Sequence, residues 1–297
     1  MIGARDLAAR LGLRAVRQRS EWRGDCPSCG YGASLAVKEK DGRALWWCAA
    51  CQDGEAVRVA LWRALGRGGT PPSTQRHTDN TTPPAARKTA LARALWDRAL
   101  PPPGTIAERY LAARGLPAVR SDELRYLPDA PHPSGKRLPA MLAAIRNPLS
   151  GDLQAVHRTY LRPDGSGKAA EEPAKASLGP VAGGVVMLAE PREGEPLVIG
   201  EGIETALSAA VLIGGAAWSA VSAGNLAALR LPAVTLAPLV VIAADPDPPG
   251  QHAAHAAARR WRVEGRSVRI ATPDIPGFDF NDLLCARNAA QETHHAP

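Results

Sequence analysis

Phenylalanine occurs twice and tyrosine four times among 297 residues, and all aromatics together make up 4%. A core of ordinary size must therefore be built from alanine, valine and leucine, which a 45% hydrophobic fraction permits. Nowhere do about 18 apolar residues follow one another, and Met1 to Arg10 has no apolar run behind a basic start. Neither a membrane span nor a signal peptide is expected, and a cytoplasmic location is. Cysteine is scarce, at five residues, and four of them fall in Cys-x-x-Cys pairs. That usage argues against a secreted disulfide framework and for a metal site in reducing surroundings. The pattern Gly-x-x-x-x-Gly-Lys-Ser/Thr is also missing, so the chain encodes no recognisable nucleotide-driven motor.

What is present is basic and punctuated. The formal charge is +7, which suits an anionic partner such as nucleic acid, although diffuse basicity is a weak sign. Gly (28) and Pro (27) are abundant and partly clustered, as expected for ordered units separated by flexible stretches. Residues 1–66 form a first unit, with a short helix at 4–12 and a helix at 55–65. Between them Ser34–Lys38 and Ala44–Trp47 read as two strands joined at Asp41-Gly42. Residues 67–88 turn to Gly, Pro, Thr, Ser and Asn and read as a flexible linker. Residues 89–194 start with helices at 89–99 and 105–114, the second capped by Thr105 and stopped by Gly115. A β-rich part at 138–161 and a basic loop through Lys168 and Lys175 follow. In residues 195–285 short apolar strands at 197–199, 217–221, 239–243 and 268–271 alternate with helices, the rhythm of a mostly parallel α/β sheet. Residues 286–297 are left as a tail.

Two motifs carry chemistry. Cys26, Cys29, Cys48 and Cys51 supply two close pairs of soft ligands on either side of a hairpin-sized insert. Four thiolates satisfy tetrahedral Zn²⁺ and leave no open position, so the metal would be structural. A redox pair, small buried cysteines or bound iron are the alternatives. In the second motif, Glu201 follows the strand at 197–199, and Asp245 and Asp247 follow the strand at 239–243. Asp279 and Asp282 come shortly after the last strand. Ligands bind outside the carboxyl ends of parallel strands, and carboxylates gathered there call for a hard cation, Mg²⁺ or Mn²⁺. The plainer reading makes Asp245 and Asp247 helix-capping turn residues.

Both motifs resemble one family. Residues 25–62 look like the zinc ribbon at the front of bacterial and phage DNA primases. The likeness lies in Cys26-Pro27, Ala33 to Val37, Trp47-Cys48 and Cys51-Gln52-Asp53-Gly54, with four cysteines where the common pattern includes a histidine. Glu201, the Asp245-Pro246-Asp247 segment, Gly250 and the Asp279/Asp282 segment resemble the Toprim domain. The run Glu201-Gly202-Ile203-Glu204-Thr205-Ala206-Leu207-Ser208, with Ser222 to Asn225, is especially like Toprim primases of phages, plasmids and integrated elements. Pro246, Pro248 and Pro249 depart from the pattern and remove amide donors from the loop.

The resemblance implies an N-terminal zinc ribbon, a linker, and a mixed α+β basic region packed on a Rossmann-like Toprim domain. It implies a DNA primase that makes short RNA on single-stranded DNA from nucleoside triphosphates, with Glu201 as general acid/base and Asp245 and Asp247 catalytic. Glu201, Asp245, Asp247, Asp279 and Asp282 would hold the catalytic Mg²⁺ or Mn²⁺. Residues 138–178 resemble the basic region of primase cores, where Arg158 and Lys175 would contact the triphosphate or template backbone. His157, its neighbour on an alternating strand, would face the other way. Glu204, one helical turn past Glu201, fits either the site or the surface. Trp22, Trp46 and Trp47, beside Arg23, Lys38 and Arg43, would stack on template bases or cover the ribbon core. A separate helicase is a possible partner. A Toprim nuclease and a non-catalytic single-strand-binding accessory protein are the alternatives.

Overall fold

A computed structural model describes residues 3–16, 21–28, 30, 32, 34–40, 42–48, 54–66, 84–116 and 119–294. Two compact units divide the chain, the first comprising Met1–Thr81 together with Ser222–Gly224. In the first, α1 (Ala4–Arg10) precedes an antiparallel sheet of β1 (Arg14–Val16), β2 (Glu21–Gly24), β3 (Leu35–Lys40) and β4 (Arg43–Cys48), and α2 (Gly54–Ala64) follows. Period-two alternation sorts β4: Trp46 and Cys48 face the core with Leu7, Leu35, Val37, Val57 and Leu61, while Leu45 and Trp47 face out.

The second unit opens with α3 (Pro84–Arg98) and α4 (Ile106–Ala113). Thr105 caps α4, its hydroxyl oxygen accepting from the Ala107 amide at 3.1 Å. A four-stranded antiparallel meander follows: β5 (Leu124–Pro131), β6 (Arg137–Arg146), β7 (Leu153–Tyr160) and β8 (Lys175–Leu178). One face packs Leu142, Val156 and Tyr160 on Ala92, Leu95 and Trp96 of α3. The other packs Met141, Ala143, Ile145 and Ala155 on Tyr110 and Leu111 of α4 and on Ile203, Ala206 and Leu207.

The last part is a five-stranded sheet in the order β13-β12-β10-β11-β9, from β9 (Val186–Met187), β10 (Leu197–Gly200), β11 (Ala216–Ser219), β12 (Leu239–Ala243) and β13 (Ser267–Ala271). β10 to β13 are parallel, and β9 closes one edge antiparallel to β11. All four residues of β10 and of β11 are buried, as strands covered on both faces must be. The helices are α5 (Ile203–Ile213), α6 (Ala223–Ala228), α7 (Pro248–Val263) and α8 (Phe280–His294).

Several boundaries differ from those read in the sequence. The first helix of this unit begins at Pro84, inside the stretch assigned to the linker, and α8 runs through residues assigned to the tail. β5 and β8 are strands that the sequence reading left out; Pro128 and a register shift interrupt β5, and β8 has only four residues behind a long loop. No helix among the described residues is long and apolar enough to cross a membrane.

Candidate active site

Gly200 of β10 lies in register with Ala243 of β12, which lies in register with Ala271 of β13. The carboxyl ends of these strands therefore finish level, and the acids follow at one sheet edge. A Cβ on Gly200 would stand 2.9 Å from the Ala206 amide nitrogen, so glycine is what lets α5 start tight against the strand and hold Glu201 at its end. The Ser219 hydroxyl donates to the Glu201 carbonyl oxygen at 2.9 Å, tying this corner to β11.

Asp245 is partly buried after β12, where the Thr205 hydroxyl donates to its Oδ1 at 3.4 Å. Asp247 caps α7, its Oδ1 accepting from the Gly250 amide at 2.7 Å. A Cβ on Gly250 would meet that Oδ1 at 2.9 Å, so the tight return needs glycine. Pro248 and Pro249 occupy the first turn of α7, where amides lack intrahelical partners anyway, so the loop loses little by them. Asp279 and Asp282 form a reciprocal cap on α8: the Asp282 amide donates to Asp279 Oδ1 at 2.8 Å, and the Asp279 amide to Asp282 Oδ2 at 3.0 Å.

Burial pushes the Asp245 carboxyl up, and the charges of Asp247 and Asp279 add to it, while Lys175 and the Thr205 hydroxyl oppose; the result is about 6. Asp245, Asp247 and Asp279 are thus one electrostatic cluster. Asp282 is exposed and serves the helix cap. Among the described residues no three His, Cys, Asp or Glu side chains close on a single point as a finished metal site would. The donor set still fits a hard divalent cation, since carboxylates that raise one another's proton affinity are relieved by positive charge between them.

The charges of Lys168 and Lys175 act on the acids of this region and make up a basic wall. Lys175 is paired with Thr159 of β7, and its charge acts on both Asp245 and Glu204. Glu204 is buried, 5% exposed, and is committed away from the Asp245 cluster. It accepts from the Tyr110 hydroxyl and pairs with Lys168 Nζ at 3.3 Å. Burial alone would raise its pKa, but Lys168, Lys175 and the tyrosine outweigh burial and bring it down to about 2.

Arg158 does not join this wall. It is 7% exposed, and its guanidinium donates to the carbonyls of Pro131 (2.6 Å), Ala176 and Ser177 (both 3.3 Å). Three of its five donors are thus turned to backbone on the sheet face that Tyr160 shares with α3, not toward the acids, against the nucleotide or template contact expected of Arg158. His157 is the neighbour that faces Lys175 and Glu204. Its ring Nδ1 meets the Ser177 hydroxyl at 3.0 Å, and burial, then Lys175, push it down to about 3, neutral at physiological pH. Tyr110, Lys168 and His157 thus belong to the site's surroundings. In the sequence Lys168 shares a basic loop with Lys175 and His157 sits beside Arg158, but neither pattern shows that they gather around Glu204.

In the first unit Cys26 and Cys48 are buried in its core, and the Gly30 amide closes a turn onto the Cys26 carbonyl at 2.7 Å. Cys29 and Cys51 lie outside the described residues. Trp22 and Trp46 pack against the core, whereas Trp47 is 39% exposed with Lys38 Nζ 5.3 Å from its ring centroid.

Comparison with known families agrees with this geometry. Residues 196–290 match the family described as Toprim domain. Residues 86–188, which carry the basic wall, match a family described as a domain of unknown function (DUF7146). Among solved structures the chain is similar to the zinc-binding and RNA polymerase domains of Aquifex aeolicus primase, at 14% identity over 99% of this chain and 82% of that one, TM-score 0.47. It is also similar to a primase domain from Pseudomonas aeruginosa, at 18% identity over 69% and 77%, TM-score 0.43. A third is the primase fragment of the bacteriophage T7 primase-helicase, at 13% identity over 92% and 97%, TM-score 0.39. The Toprim match starts at the residue before β10 and includes every acid of the cluster.

Proposed function

We propose that this protein is a DNA primase that joins nucleoside triphosphates into short RNA on a single-stranded DNA template. The observation that carries this reading is the Asp245, Asp247 and Asp279 cluster at the carboxyl end of a parallel sheet, with Lys175 near enough for its charge to act on Asp245. Acids with a lysine nearby suit a triphosphate whose reacting phosphate would meet metal while its outer oxygens meet ammonium. Bound Mg²⁺ or Mn²⁺ would activate the attacking 3′ oxygen and stabilise the departing pyrophosphate. Asp245, Asp247 and Asp279 would hold the ions, and Glu201 at the end of β10 would take the proton of the attacking hydroxyl. Lys175 would orient the triphosphate. The deciding assay incubates the protein with single-stranded DNA, labelled nucleotides and Mg²⁺ or Mn²⁺. Metal-dependent oligonucleotides support the primase; degraded template would make the protein a nuclease, and binding without chemistry an accessory.

In this reading Cys26, Cys29, Cys48 and Cys51 bind one structural zinc in a template-engaging ribbon. Metal analysis is expected to find about one zinc per chain, lost or weakened in Cys48→Ser. A metal-free wild type would return the four thiols to a packing or redox role. Trp47, exposed beside Lys38, would be the tryptophan that stacks on a base. Trp47→Ala is expected to weaken single-stranded DNA binding by about tenfold, since one base stacked on an aromatic ring contributes about 1–3 kcal/mol. Fluorescence anisotropy with a labelled oligonucleotide measures it. Unchanged affinity would remove Trp47 from the interface.

A further inference from the structure

Asn281 stands between the two capping acids, Asp279 and Asp282, and only 1% of it is exposed. Its Nδ2 donates twice, to the carbonyl of Arg114 at the end of α4 (2.6 Å) and to the hydroxyl oxygen of Ser208 in α5 (2.9 Å). Its Oδ1 is buried with no hydrogen-bond partner among the described residues. A buried amide that leaves its acceptor unsatisfied is costly, and an apolar side chain would avoid that cost. What the amide contributes is location. Phe280, one residue earlier, packs on Val198, Ala209, Val241 and Ala243, fixing the first turn of α8 to the sheet. Asn281 fixes the same turn to α4 and α5. Only a double donor does this; an aspartate would set a carboxylate against the Arg114 carbonyl.

The turn so held begins at Asp279, whose charge reaches Asp245. Ser208 lies on the helix that Glu201 leads into, so the hydrogen bond from Asn281 sets the third acid in register with the first. We infer that Asn281 is a positioning residue for the metal-binding acids, acting through Asp279. The inference rests on the divalent-metal reading of those acids but not on the reaction they carry out.

The test is a double-mutant cycle read by Mn²⁺ binding to the full chain, followed by electron paramagnetic resonance of free Mn²⁺. Asn281→Ala and Asp279→Asn are each expected to weaken binding by about tenfold, and the double variant by about tenfold as well. A general loosening of the fold would lower affinity in both backgrounds, giving about a hundredfold loss in the double variant. That additive result, an unchanged affinity in Asn281→Ala, or no Mn²⁺ binding by the wild type would each overturn the inference. Ser208→Ala removes one of the two acceptors and should weaken binding a few-fold, again with no further effect when Asp279 is Asn. It decides the matter alone if Asn281→Ala does not fold. Primer synthesis is scored separately: a non-additive cycle in a protein that makes no primers keeps the inference and removes the primase.

Discussion

Asp245→Asn is expected to lower metal-dependent oligonucleotide synthesis by about a thousandfold while leaving the fold intact. The size follows from what the carboxylate would do. Charge stabilisation by a metal in phosphoryl transfer contributes several kcal/mol, and about 4 kcal/mol corresponds to about three powers of ten in rate. Asparagine keeps the shape of the side chain and can still accept from the Thr205 hydroxyl, so the end of β12 stays closed. It also removes the charge that Asp247 and Asp279 oppose. Thermal stability without metal should therefore be unchanged or slightly raised. Activity lost and stability kept is the signature of a group used for chemistry. Synthesis on a single-stranded template, measured beside a melting curve, checks both halves. An active Asp245→Asn protein would mean that the acids serve only as helix caps, the role one oxygen of Asp247 already fills.

The acids were legible because each follows an apolar strand directly: Leu197 to Gly200 runs into Glu201, and Leu239 to Ala243 runs almost into Asp245. A strand buried on both faces reads as an unbroken apolar run, and its carboxyl end marks where a ligand can reach the sheet. α4 was legible for a similar reason, since Thr105 and Gly115 bracket its apolar face. That Arg158 and His157 face opposite ways was legible, but which of the two looks toward the acids was not. Alternation says that the two point to opposite faces, but seven of the eight residues of β7 are buried. Polarity therefore cannot tell which face looks toward the acids. The choice is made by α3 covering one face and α5 the other, contacts between segments distant in sequence. Glu204 was ambiguous likewise, because its tyrosine partner lies 94 residues away and no local pattern announces it.

That partnership carries the second large effect. Glu204→Ala is expected to destabilise the second unit by about 3 kcal/mol, mostly because the buried Tyr110 hydroxyl loses its charged acceptor, with a smaller share from the half-buried Lys168. For a unit of this size the melting temperature should fall by about 8 °C. The tyrosine hydroxyl would be left buried without its acceptor, and Lys168 without its counter-charge. Glu204→Gln should cost less, since its amide oxygen still accepts from Tyr110. The pH dependence follows from the carboxyl, which titrates at about 2 in the folded chain against 4.5 for the free group. Its contribution is present in full above 4.5, where both states are ionised. It fades as the pH falls from there toward 2, because the unfolded chain takes up the proton first. The gap in stability between wild type and Glu204→Gln should therefore be largest at neutral pH and shrink below about pH 4. Denaturant unfolding of both proteins at pH 7 and pH 3 measures it. A gap that stayed constant between those values would mean that the ionic bond to Lys168 contributes nothing, and that the link between the basic region and α5 is held by packing of Tyr110 against Ile203 and Leu207.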